Sequence, residues 1–134
     1  MDSRSKAQGV APGESYILVV DDDDAIREVL AAVLEDEGYQ VRSAANGLEA
    51  LQLLHAAATA PAVILLDLMM PVMNGWEFRA AQEIDPDLAS IPVVLLSANR
   101  EIAAKATAAR VQAYLPKPVD LDHLITTVRQ YCPT

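Results

Sequence analysis

The chain has 134 residues, 52% of them hydrophobic but only 4% aromatic, and a formal net charge of −9. This length fits one domain and argues against linked catalytic and regulatory domains. The acidity, with no Lys/Arg cluster interleaved with aromatics, argues against direct nucleic-acid binding.

Residues 1–15, "MDSRSKAQGVAPGES", mix small, polar and breaker residues without a period and read as a flexible leader. "YILVV" (16–20) follows as a buried strand, and Ile26, Val29, Leu30, Val33 and Leu34 recur at helical spacing until Gly38 ends that helix. "YQVRSA" (39–44) reads as a second strand, and Leu48, Leu51 and Leu54 mark a second helix. "AVILLD" (62–67) is apolar up to its last residue, as in a strand buried on both faces with an acid at its carboxyl end. A third helix is expected from about Asn74 to Ile84 and a fourth strand in "IPVVLLS" (91–97). An Ala-rich fourth helix in "ANREIAAKATAAR" (98–110) and a fifth strand in "VQAYLPK" (111–117) come next. Val119, Leu121, Leu124, Ile125 and Val128 give a fifth helix its apolar stripe.

Five strands alternating with five helices predict one α/β domain over residues 16–131, with 132–134 as a tail. The expected architecture is a doubly wound parallel sheet covered by helices on both faces. Cys132 is the single cysteine, so an intrachain disulfide or a multi-cysteine metal site is excluded. No apolar run reaches the roughly eighteen residues of a membrane span, and the N-terminus lacks a signal-peptide core. A soluble cytoplasmic protein is the expectation.

In such a sheet, ligands bind beyond the carboxyl ends of the strands. Those ends carry Asp21 and Asp22 on strand one, Asp67 on strand three, Ser97 on strand four, and Lys117 followed by Pro118 on strand five. Three carboxylates converging with a hydroxyl and a lysine form an oxygen-rich pocket suited to a hard cation such as Mg²⁺. A carboxylate there can act as nucleophile toward phosphorus, because the cation and the lysine neutralise charge on the transferred group. The acidic run "VVDDDDAI" (19–26) then divides. Asp21 and Asp22 belong to the pocket, Asp24 is expected to cap the first helix, and Asp23 to be solvated and the most replaceable.

"ILVVDDDDAIREVL", "VILLDLMMPVMNGWE", "IPVVLLSA" and "AYLPKPV", in that order, closely resemble the receiver domain of bacterial two-component response regulators over roughly residues 16–131. The resemblance implies a flavodoxin-like α/β fold with strand order 2-1-3-4-5. It implies that Asp67 is the phosphoacceptor, that Asp22 and the Met69 backbone carbonyl bind Mg²⁺ directly, and that Asp21 binds it through water. It further implies that Ser97 is the switch hydroxyl, that Lys117 pairs with the phosphoryl group, and that Tyr114 is the switch aromatic. Pro118 completes a Lys-Pro pair that in the family often has a cis peptide bond. A sensor histidine kinase or a histidine phosphotransfer protein would supply the phosphoryl group. The chain would catalyse only its own phosphorylation and dephosphorylation, as a signalling phosphoacceptor rather than an enzyme. The switched surface would comprise the fourth helix, fifth strand and fifth helix, offered to a downstream target by a monomer or weak homodimer. Met69 and Asn99 occupy positions that influence phosphoryl lifetime in the family, and Arg110 stands where it commonly has glycine.

Two other functions remain beside this one. A degenerate receiver would serve as a phosphorylation-independent interaction module, although every acceptor-site residue is retained. A Mg²⁺-dependent aspartate-nucleophile phosphohydrolase would carry a second aspartate two positions after the first, where this chain has Met69. Met69, Met70 and Met73 lack the cysteine or histidine company of a soft-metal site and read as packing or loop residues. His55 and His123 read as solvated surface residues.

Overall fold

The computed structural model describes residues 15–98, 104, 111 and 113–132. The leader up to residue 14, Asn99, Arg110 and residues 133–134 lie outside them, as does the Ala-rich stretch apart from Ala98 and the helical Ala104. The described elements run β1 (Tyr16–Val20), α1 (Asp24–Asp36), β2 (Gln40–Ala44), α2 (Gly47–Ala56), β3 (Val63–Asp67), α3 (Gly75–Glu83), β4 (Val93–Ser97), β5 (Ala113–Pro116) and α4 (Leu121–Tyr131). The strands form a single five-stranded parallel sheet in the order β2-β1-β3-β4-β5, as expected from the sequence.

The three central strands are buried at every position, which explains why they read as continuous apolar runs rather than alternating ones. Their side chains divide by parity between two core layers. Leu18, Val20, Ile64, Leu66, Val93 and Leu95 pack with Ala50 and Leu54 of α2 and Phe78 of α3. Ile17, Val19, Val63, Leu65, Val94 and Leu96 pack with Leu30 and Leu34 of α1 and with Leu124 and Val128 of α4. Cys132 is buried in this second layer, and its carbonyl accepts a hydrogen bond from Tyr39 Oη. β2 lies at one edge and is mostly exposed, which accounts for its polar sequence.

Parallel register decides which side chains meet at the carboxyl ends. Val20 is paired with Leu66, so the next residues, Asp21 and Asp67, emerge side by side. Asp67 is paired with Leu96 and Ser97 with Pro116, so Ser97 and Lys117 follow at the same end of the sheet. Among the described residues no helix is long and apolar enough to cross a membrane.

Candidate functional site

The loop after β1 is built by its own carboxylates. Asp21 is fully buried; its Oδ1 accepts the Asp23 N–H at 2.9 Å, and its carbonyl accepts from Arg27 Nη1 at 2.7 Å. Asp22, between them, has an exposed side chain. Asp23 is the N-cap of α1: its backbone is extended, and its carboxylate accepts from the N–H groups of Ala25 and Ile26. This corrects the expectation that Asp24 caps the helix and that Asp23, though solvated as expected, is the most replaceable of the run. An extended residue just before the first helical one can turn its side chain onto the open N–H groups, whereas Asp24 already lies in the first turn and pairs with Arg27 instead.

β3 ends on Asp67, 5% exposed, and the chain then folds sharply back. Gly75 N–H donates to the Leu68 carbonyl at 2.9 Å, and Gly47 N–H donates to the Met73 carbonyl at 2.9 Å. A Cβ on Gly75 would lie 2.7 Å from the Asp67 carbonyl oxygen and 2.8 Å from Leu68 Cα, so only glycine lets α3 start this close to the acid. α3 itself is secured by a capping box in which Asn74 and Glu77 bond each other's backbone N–H groups. Met69 N–H donates to Asp67 Oδ1 at 3.4 Å, while the Met69 side chain is exposed. The "NGWE" stretch held the signal for this closure; it placed the helix start, but not the glycine's proximity to Asp67.

Lys117 joins the two halves. Its Nζ donates to Asp21 Oδ2 at 2.7 Å and lies 3.4 Å from Asp67 Oδ1. Its backbone N–H donates to the Ser97 carbonyl at 3.0 Å, and the Lys117–Pro118 peptide bond is cis. Burial works against the ammonium, but the hydrogen bond to Asp21 and the charges of both aspartates outweigh it and raise the Lys117 pKa. Burial, followed by the charge of Asp21, pushes the Asp67 carboxyl up to about 6 against the lowering effect of Lys117. Asp67 is therefore largely ionised at neutral pH and more basic than an ordinary carboxylate.

Ligand oxygens of Asp21, Asp22 and Asp67 lie within 4.8 Å of one another. All three donors are carboxylate oxygens, a set suited to a hard divalent cation. Ser97 is buried at the end of β4, and Tyr114 Oη donates to its carbonyl at 3.3 Å. The structure thus gathers Asp21, Asp22, Asp67 and Lys117 into one pocket and brings Ser97 and Tyr114 to the same end of the sheet. The histidines stand apart: His123 is exposed on α4, and His55 on α2 pairs with Asp85 at 3.0 Å.

The family model for the response regulator receiver domain matches residues 17–129, nearly all of the described body. The chain belongs to this family. Its similarity to the response regulator MprA of Mycobacterium sp. (strain KMS) is 39% identity over 116 residues, covering 84% of this chain and 48% of that protein. The receiver therefore spans about half the length of that relative. A 14.6 kDa protein from the sodA1 3′ region of Leptolyngbya boryana is 40% identical over 118 residues, which make up 87% of this chain and 88% of that one. Among solved structures, the chemotaxis response regulator CheY4 of Vibrio cholerae matches with a TM-score of 0.79 and 32% identity, over 87% of this chain and 98% of that one. Receivers of this family are signalling phosphoacceptors, and the acidic pocket of this chain has the composition such a site requires.

Proposed function

We propose that Asp67 is the phosphoacceptor, taking a phosphoryl group from the phosphohistidine of a sensor histidine kinase or a histidine phosphotransfer protein. The observation that carries this reading is the meeting of the Asp67 carboxylate with Lys117 Nζ at 3.4 Å and with ligand oxygens of Asp21 and Asp22. In the transfer, an Asp67 oxygen bonds to phosphorus as the P–N bond breaks, and that bond's electron pair returns to the imidazole nitrogen. Lys117 and the Met69 N–H both contact Oδ1, which supports Oδ2 as the oxygen that attacks.

Asp22, Asp67 and the Met69 backbone carbonyl would hold Mg²⁺, with Asp21 reaching it through water. Both Asp21 oxygens are already engaged, Oδ1 by the Asp23 N–H and Oδ2 by Lys117, which suits contact through water. When bound, the cation supplies positive charge against the phosphoryl oxygens. Lys117 adds a second positive charge and holds the group in place.

Ser97 then turns its hydroxyl to a phosphoryl oxygen. Tyr114, tied to the Ser97 carbonyl, carries the change toward β5 and α4. The output is a protein-contact surface for a downstream target, in a cytoplasmic monomer or weak homodimer whose receiver occupies residues 16–131. The chain catalyses only its own phosphorylation and dephosphorylation. Incubation with Mg²⁺ and a small phosphodonor, followed by intact mass measurement, should show one labile phosphoryl adduct. An adduct that survives in Asp67→Asn, or none in the wild-type protein, rejects this function.

A further inference from the structure

Asp22 is the exposed member of the acidic trio, and its aim depends on the two peptide planes that flank its Cα. Peptide planes are rigid, so fixing both sets the direction of the Cα–Cβ bond and narrows the rotamers that aim the carboxylate at Asp67. The plane on the C-terminal side is held by the Asp23 N–H, which donates to Asp21 Oδ1 at 2.9 Å. The plane on the N-terminal side contains the Asp21 carbonyl, and Arg27 Nη1 holds that oxygen at 2.7 Å.

Arg27 reaches the carbonyl from the first turns of α1, where its own N–H donates to the Asp23 carbonyl at 3.0 Å. Its second guanidinium nitrogen pairs with Asp24, which steers the fork. The side chain is only 19% exposed, so the charge-assisted bond to the carbonyl is shielded from water. We infer that Arg27 is a positioning residue for cation binding: it locks the Asp21–Asp22 peptide so that Asp22 points toward Asp67. This inference rests on the metal-dependent reading of the pocket given above.

Charge and position make opposite predictions. An arginine acting only through its charge would oppose a nearby cation, and its removal would tighten Mg²⁺ binding. An arginine acting through the carbonyl bond would, when removed, loosen the loop and weaken binding. Supporting contacts of this kind are typically worth 10–100-fold in metal affinity.

The test measures Mg²⁺ affinity by calorimetry, and amide hydrogen exchange at Asp23 in the metal-free protein, for wild type, Arg27→Met, Arg27→Lys and Leu34→Val. Leu34 is buried on the same helix away from the loop and controls for general softening of α1. Arg27→Met should weaken Mg²⁺ binding about tenfold and speed Asp23 exchange, Arg27→Lys should recover part of both, and Leu34→Val should change neither. Unchanged or tighter Mg²⁺ binding in Arg27→Met, or an equal loss in Leu34→Val, overturns the inference. If the wild-type protein itself binds no Mg²⁺, the metal-dependent reading fails instead, and the exchange rate alone decides whether Arg27 holds the loop.

Discussion

Lys117 Nζ and Asp21 Oδ2 lie 2.7 Å apart although 96 residues separate them in the chain. The Asp21 side chain is 0% exposed and that of Lys117 18%, so this contact is largely dry. With Asp67 also in reach, one ammonium answers two carboxylates. Lys117→Met leaves those acids buried together without a counter-charge. A loss of about 2–3 kcal/mol is expected in the metal-free protein, part of it regained when Mg²⁺ is added. Urea unfolding with and without Mg²⁺ measures both changes.

Asp67 carries an unfavourable charge before any ligand binds. Its folded pKa of about 6 stands above the ordinary value of 3.8, so between those values the folded chain holds a proton that the unfolded chain has released. Stability from this group is complete below the lower value and declines as pH rises to the upper one. At neutral pH, Asp67→Asn should therefore stabilise the metal-free protein by about 1 kcal/mol, after allowance for solvent screening. Thermal melts near pH 4 should show no such gain, because the wild-type acid is then neutral as well.

The acidic run predicts a graded series. Asp23→Ala removes the cap that accepts from Ala25 and Ile26 N–H and should cost about 1 kcal/mol. Asp24→Ala loses a pair with Arg27 in which the aspartate itself is exposed and should cost roughly half of that or less. Chemical denaturation of the two variants side by side ranks them; a larger loss at Asp24 would mean that the helix starts one residue later in solution.

Gly75→Ala presses a methyl group onto backbone atoms of Asp67 and Leu68 at 2.7 and 2.8 Å. Backbone at the end of a central strand has no easy way to yield, so a loss of about 1–3 kcal/mol is expected. Because the displaced residue is the proposed phosphoacceptor, the rate of phosphorylation by a small donor should fall as well. Wild-type phosphorylation in a destabilised variant would separate this glycine's packing role from the site.

Most of the frame was legible in the chain. The runs at 16–20, 63–66 and 93–96 are apolar throughout because each strand is covered on both faces, and amphipathic stretches separate them. The polar residues that end those runs were therefore identifiable as a set facing one end of the sheet. Asp24 was misread for a local reason: composition marks a helix start to within a residue or two, while the cap is decided by which backbone turns extended. Sequence alone determined the element order and the chemistry available at the strand ends. Tertiary structure decided which of those groups touch: the Val20–Leu66 and Ser97–Pro116 registers set Asp21 beside Asp67 and brought Lys117 across to both. Contacts between residues so far apart in the chain depend on how strands align, and no local pattern of side chains encodes that alignment.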